Sequence, residues 1–175
     1  AFINAGDREW AGRMHDDLID GKRWLVSQGC ADPGKVAIVG GSYGGYATLV
    51  GLTFTPEEFG CGVDIVGPSN LMTLLKNPPP YWAPFMPLLF RRVGHPDTDR
   101  EFLESRSPLF KADRIVRPLL ILQGANDPRV KQLESDQIVA AMRKNGQPVE
   151  YVLFPDEGHG FARPENNLKF VGAAE

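Results

Sequence analysis

Residues 35–46, KVAIVGGSYGGY, read as a buried strand running into a serine-bearing turn and then a helix. Val36, Ala37, Ile38 and Val39 form a short apolar run, rich in β-branched residues and bounded by glycine, as in a parallel strand covered on both faces. Gly40, Gly41, Ser42, Tyr43 and Gly44 then spell G-x-S-x-G. A serine on a tight strand-to-helix turn is held in a strained backbone conformation, and flanking glycines let neighbouring backbone approach where a Cβ would clash. The helix expected from Gly45 to about Thr53 aims its N-terminal N–H groups and positive dipole end at negative charge developing beside Ser42. The Tyr43 backbone N–H then becomes an oxyanion donor. Taken alone, the same stretch also fits a glycine-rich turn that binds phosphate or merely packs tightly.

A serine hydroxyl is a poor nucleophile without a base and a group that orients the base. The chain has three histidines. His15 lies in EWAGRMHDDLIDGKRWLVSQG, a helical stretch where a histidine beside Asp16 and Asp17 is read as solvated or capping. His95 lies in VGHPDTD, where turn formation explains it. His159 falls in FPDEGHGF, directly after the apolar run through Val149, Tyr151, Val152, Leu153 and Phe154, and so sits on a flexible loop at a strand end. The run PLLILQG at 118–124 is the most apolar strand candidate and leads into Asn126 and Asp127. Ser42, Asp127 and His159 thus follow three separate strands in the order expected of an α/β-hydrolase, at the strand edge where open α/β sheets gather their catalytic groups.

GGSYGGY, GANDPRV and DEGHGF, in this order, resemble the catalytic domain of the prolyl oligopeptidase family of serine peptidases, especially its acylaminoacyl-peptidase-like and dipeptidyl-peptidase-like branches. The resemblance runs from about Ala1 to about Phe170. It implies that Ser42 is the nucleophile, Asp127 the orienting carboxylate and His159 the general base. It implies that Arg129 holds a backbone carbonyl of a bound peptide, and that Val130 with Tyr81, Trp82 and Phe85 lines the pocket for the residue before the scissile bond. No metal or organic cofactor is needed for this chemistry. The substrate is expected to be a short peptide or acyl-peptide.

Composition limits the other classes. The 175 residues carry a net charge of −3, with no basic cluster, so neither nucleic acid nor anionic lipid is attracted by charge. Cys30 and Cys61 do not make a disulfide framework and are read as reduced, partly buried thiols, which favours a cytoplasmic setting. No apolar run approaches membrane-spanning length, and AFINAGDREW has no signal-peptide pattern.

In chain order, Asp7 is read as the N-cap of a helix whose Trp10, Met14, Leu18, Trp24 and Leu25 should lie against the sheet, with Gly29 as its stop. ADPG at 31–34 is a turn, Thr55, Pro56 and Glu57 begin another short helical turn, and CGVDIV at 61–66 is the next strand. Asp64 inside it is read as a hydrogen-bonded core or edge carboxylate. From Gly67 to about Pro87 repeated prolines break any long element, giving either a pocket-shaping loop or a rigid surface excursion. Short helices are expected at 88–93 and 101–106, a longer one at 131–144 and the opening of a last one at 166–175.

Strands near 35–40, 62–66, 118–123 and 149–154 alternate with helices, so the expected architecture is an α/β-hydrolase fold, a mostly parallel sheet with helices on both faces in a single domain over 1–175. The family resemblance implies earlier strands, a tyrosine hydroxyl as second oxyanion donor and a β-propeller, all upstream. These residues are therefore expected to be the C-terminal part of a larger enzyme, short at its N-terminus and at its last helix. They should associate with the missing segment or with themselves, since a central strand left at an edge exposes unpaired N–H and C=O groups. A carboxylesterase on the same fold and a non-catalytic fragment are the other readings.

Overall fold

A computed structural model describes residues 2–174. Four strands, β1 (Ala37–Gly41), β2 (Cys61–Ile65), β3 (Leu119–Gly124) and β4 (Glu150–Phe154), form one parallel sheet in the order β1-β2-β3-β4. Val39 stands opposite Val63, Val63 opposite Leu120 and Leu122 opposite Val152. Parallel neighbours need long crossovers, and these carry the helices. They are α1 (Phe2–Ala5), α2 (Arg13–Ser27), α3 (Tyr43–Phe54), α4 (Leu71–Lys76), α5 (Met86–Val93), α6 (Arg100–Ser105), α7 (Gln132–Lys144) and α8 (Pro164–Ala174). Short 3-10 helices occupy Pro80–Phe85 and Pro108–Arg114.

Helix α3 is apolar on every side, and every residue from Gly45 to Thr53 is buried, as such a helix requires. It packs on β1 and β2, where Leu49 and Leu52 join Ile121 of β3 and Ile138, Val139 and Met142 of α7. On the opposite face α8 brings Phe170 and Ala173 against Val63, Leu120, Leu122 and Phe154. Helices therefore cover both faces, as expected. A third cluster, around Tyr46, Val50, Leu71 and Leu103, ties α3 to α4, α5 and α6 above the strand ends.

The region from 67 to 87 is more ordered than its prolines suggest. The proline-free stretch inside it forms α4, with the Asn70 side-chain oxygen accepting the Met72 N–H at 3.0 Å. The Asn70 backbone N–H donates across the fold to the buried Glu134 carboxylate of α7 at 2.9 Å.

The first long helix differs from the expectation. It starts at Arg13, and Asp7 does not cap it but pairs with Arg91 at 3.2 Å. Trp24 is 61% exposed, and Leu18 and Leu25 are also exposed, while the buried residues are His15 and Ile19. The helix turns this neighbouring face inward because partners outside it stand there. His15 Nε2 lies 2.9 Å from Thr55 Oγ1, and Lys22 Nζ reaches the Glu58 carboxylate at 2.9 Å. His15 is thus a buried, hydrogen-bonded residue rather than a solvated or capping one. The Thr55 hydroxyl already donates to the Gly51 carbonyl at 3.0 Å, so it accepts from His15 Nε2–H, and Nδ1 has no partner among the described residues. Cys30, past the end of α2, is exposed instead of partly buried, and Cys61 is half-buried.

Burial pushes the His15 imidazole below its ordinary range, against the weaker pull of Asp16 and Glu58. The unfolded chain takes up a proton near pH 6.5 while the folded chain resists it, so this contribution is complete above that pH and lost as pH falls below it. The fall in melting temperature between pH 7 and pH 5 is expected to be smaller in His15→Gln than in the natural sequence. Equal falls in the two proteins would contradict this role.

Among the described residues, β1 has a strand on one side only, and Val39 within it is 57% exposed. No helix among them is long and apolar enough to cross a membrane.

Candidate active site

Ser42 stands between β1 and α3 with φ 57° and ψ −115°, the left-handed region that a side chain rarely enters. Such strain costs about 1 to 3 kcal/mol and persists only where the surroundings over-determine it. Here the Ser42 N–H donates to the Ile65 carbonyl at 2.8 Å, and the Ser42 carbonyl accepts the Tyr46 N–H at 3.0 Å. A Cβ on Gly40 would overlap the Gly44 carbonyl group, so the tight approach that lifts Ser42 above the sheet requires glycine there.

Asp127 follows β3, and its side chain is fully buried. Its Oδ1 accepts the Arg129 N–H at 2.8 Å and the Val130 N–H at 3.0 Å, which fixes the carboxylate plane. Its Oδ2 is left facing His159 Nδ1 at 2.7 Å. His159, on the loop between β4 and α8, places Nε2 2.9 Å from Ser42 Oγ. A carboxylate only accepts, so Nδ1 carries the imidazole proton and Nε2 presents its lone pair to the Ser42 hydroxyl.

Tyr43 is the first residue of α3, and its N–H is among those that an α-helix leaves without an internal acceptor. Its ring is anchored edge-on to Trp10 at 4.7 Å, which steadies the backbone beside Ser42. A hollow of about 590 Å³ lined by Phe2, Ile3, Trp10, Met14 and Leu18 reaches this region through that ring.

The other residues singled out in the sequence divide into two groups. Arg129 is exposed, and its Nε donates to the Tyr81 hydroxyl at 3.2 Å. Trp82 is half-buried and Phe85 is 60% exposed, both on the same 3-10 helix as Tyr81. Val130, by contrast, is 3% exposed and packs in the cluster of Tyr46, Leu71 and Leu103. Asp64 is a hydrogen-bonded core carboxylate, with Oδ1 accepting the Gly67 N–H at 2.9 Å and Oδ2 without a partner among the described residues, and burial raises its pKa well above the usual range.

Three features of the site are not legible in the sequence. Glu134 is buried and accepts from Ser69 N–H, Asn70 N–H, Thr73 Oγ1 and Gln137 Nε2, fixing the start of α4 to the helix that follows Arg129. Val66 has φ 49°, unusual for a β-branched residue, directly after the strand that braces Ser42. Glu157, two residues before His159, is 4% exposed and gathers three N–H donors. Its place in a loop motif with His159 was the one available signal; nothing local marks the other two.

A sequence profile of the prolyl oligopeptidase family matches residues 1–173. Dipeptidyl aminopeptidase BIII of Pseudoxanthomonas mexicana is 66% identical over 176 residues, covering 99% of this chain and 26% of that protein. Dipeptidyl peptidase family member 6 of Caenorhabditis elegans is 55% identical over 177 residues, covering 99% of this chain and 24% of that protein. A solved Mycobacterium tuberculosis puromycin-hydrolyzing peptidase superposes with a TM-score of 0.92 at 32% identity, over 99% of this chain and 26% of that one. The chain therefore spans about a quarter of the length of the curated relatives it matches.

Proposed function

The chain belongs to the prolyl oligopeptidase family, and from that membership we propose that it carries the catalytic triad of a serine peptidase that cleaves short peptides through an acyl-enzyme. The observation that carries this reading is the relay from Asp127 Oδ2 to His159 Nδ1 at 2.7 Å and from His159 Nε2 to Ser42 Oγ at 2.9 Å. As Ser42 Oγ attacks the scissile carbonyl carbon, its proton passes to His159 Nε2, and Asp127 stabilises the imidazolium. The Tyr43 N–H donates to the oxyanion. His159 then protonates the departing amine, and water, deprotonated by the same nitrogen, cleaves the acyl-enzyme and restores the Ser42 hydroxyl.

Substrate recognition rests on Arg129, whose guanidinium accounts for one backbone carbonyl of the peptide, with Tyr81, Trp82 and Phe85 as the walls for the residue before the scissile bond, while Val130 packs in the core behind them. The second oxyanion donor implied by the resemblance is a tyrosine hydroxyl, and lacking it would weaken transition-state binding by about 3 to 4 kcal/mol. We assign it, with the propeller, to the remaining length of a longer protein, which would also cover the free side of β1 and the exposed apolar face of α2. A cytoplasmic setting belongs to the same proposal, on the ground that two cysteines do not make a disulfide framework.

The triad chemistry alone does not separate amides from esters, and Arg129 is the feature that favours peptides. Matched dipeptidyl amide and ester substrates test the choice, with hydrolysis of both expected and hydrolysis of the ester alone contradicting it. Tyr81→Phe frees the Arg129 guanidinium and is expected to raise KM for the amide by about two- to fivefold at unchanged kcat, the size of one exposed hydrogen bond. An unchanged KM would remove Tyr81 from the recognition site.

A further inference from the structure

His159 stands between Gly158 and Gly160, and Gly160 has φ 119°, so its own backbone restrains the imidazole weakly. Its position is set by ties on either side. Upstream, Asn126 N–H donates to the Glu157 carbonyl at 2.9 Å and Asn126 Nδ2 to the Pro155 carbonyl at 2.8 Å, joining the Asp127 loop to the His159 loop. Downstream, the Glu157 carboxylate reaches past His159. Its Oε2 accepts the Ala162 N–H at 3.1 Å, and its Oε1 accepts the Arg163 N–H at 2.9 Å and Asn166 Nδ2 at 2.9 Å. Bonds to an ionised acceptor are about twice as strong as neutral ones, and the start of α8 adds its dipole. Those donors, Asn166 first and then Arg163, hold the Glu157 carboxyl below the usual range. The apolar complement is Phe161, which packs on Phe154 with ring centroids 4.3 Å apart.

We propose that Glu157 is a positioning residue whose carboxylate closes residues 157–163 into a ring and thereby holds the His159 imidazole between Asp127 and Ser42. The inference rests on the hydrolase reading above but concerns a residue that touches neither substrate nor the reacting atoms. A displacement of the imidazole by about 1 Å is enough to slow catalysis about a hundredfold.

Glu157→Gln tests it in the full chain, because an amide nitrogen then faces an N–H donor where a carboxylate oxygen stood. The expected result is a fall in kcat of about ten- to a hundredfold with KM within about twofold of the natural value. The second readout is the deshielded NMR resonance of the His159 Nδ1 proton shared with Asp127. It should be sharp in the natural protein and lost to exchange in Glu157→Gln, whether or not the protein turns over. Asn166→Ala removes one of the three donors and should give a smaller change in the same direction; it decides the matter if Glu157→Gln does not fold. A folded Glu157→Gln protein with natural kcat and an intact resonance would overturn the proposal, leaving Glu157 as a cap of α8. A natural protein that shows the resonance and hydrolyses nothing would defeat the hydrolase reading instead, and the clasp would then stand or fall on the resonance.

Discussion

Replacing Ser42 with alanine is expected to lower kcat for a dipeptidyl amide by about a millionfold, because members of a triad act as a unit and the loss of one removes the route they share. Fold stability should barely move. Among the described residues the Ser42 side chain hydrogen-bonds only to His159, and the left-handed backbone strain is the same for alanine, which also carries a Cβ. Steady-state rates and thermal melts on the same preparation check both halves. A loss of only a few fold would reject Ser42 as the nucleophile.

Asp127→Asn is the second large effect, a fall in kcat of about ten-thousandfold. Oδ1 of residue 127 is committed to the Arg129 and Val130 N–H groups, so the asparagine must keep its oxygen there and turn its NH₂ toward His159. Donor would then meet Nδ1–H, and the ring responds by carrying its proton on Nε2. That nitrogen can no longer accept the Ser42 proton. The variant should fold, since the two backbone donors keep their acceptor. A loss of less than about tenfold would mean that Asp127 does not set the tautomer.

The sheet and the three site positions were legible because each rests on local chemistry. G-x-S-x-G forces a tight strand-to-helix turn, and apolar runs ending in Asn126–Asp127 and in Gly158–His159 place both residues just past strand ends. What was hidden depends on groups far along the chain. The helical period of α2 leaves two neighbouring faces in competition, and the inward choice is made by Thr55 and Glu58, 40 and 36 residues beyond His15 and Lys22. Glu134 in the first turn of a helix looks solvated until Ser69 and Asn70, 65 and 64 residues away, present their N–H groups to it. The resemblance puts Val130 at the substrate pocket, whereas its apolar side chain packs in the core beside Leu71. Proline density concealed α4, because the breakers surround that helix without entering it.

Whether His159 activates Ser42 is tested by labelling the chain with a fluorophosphonate probe, mapped by mass spectrometry, with His159→Ala beside it. Phosphonylation at Ser42 is expected to be rapid in the natural sequence and lost in His159→Ala, since His159 Nε2 lies within hydrogen-bond reach of the Ser42 hydroxyl. Folded protein that takes no label, or label at Ser42 that is indifferent to His159, would contradict it.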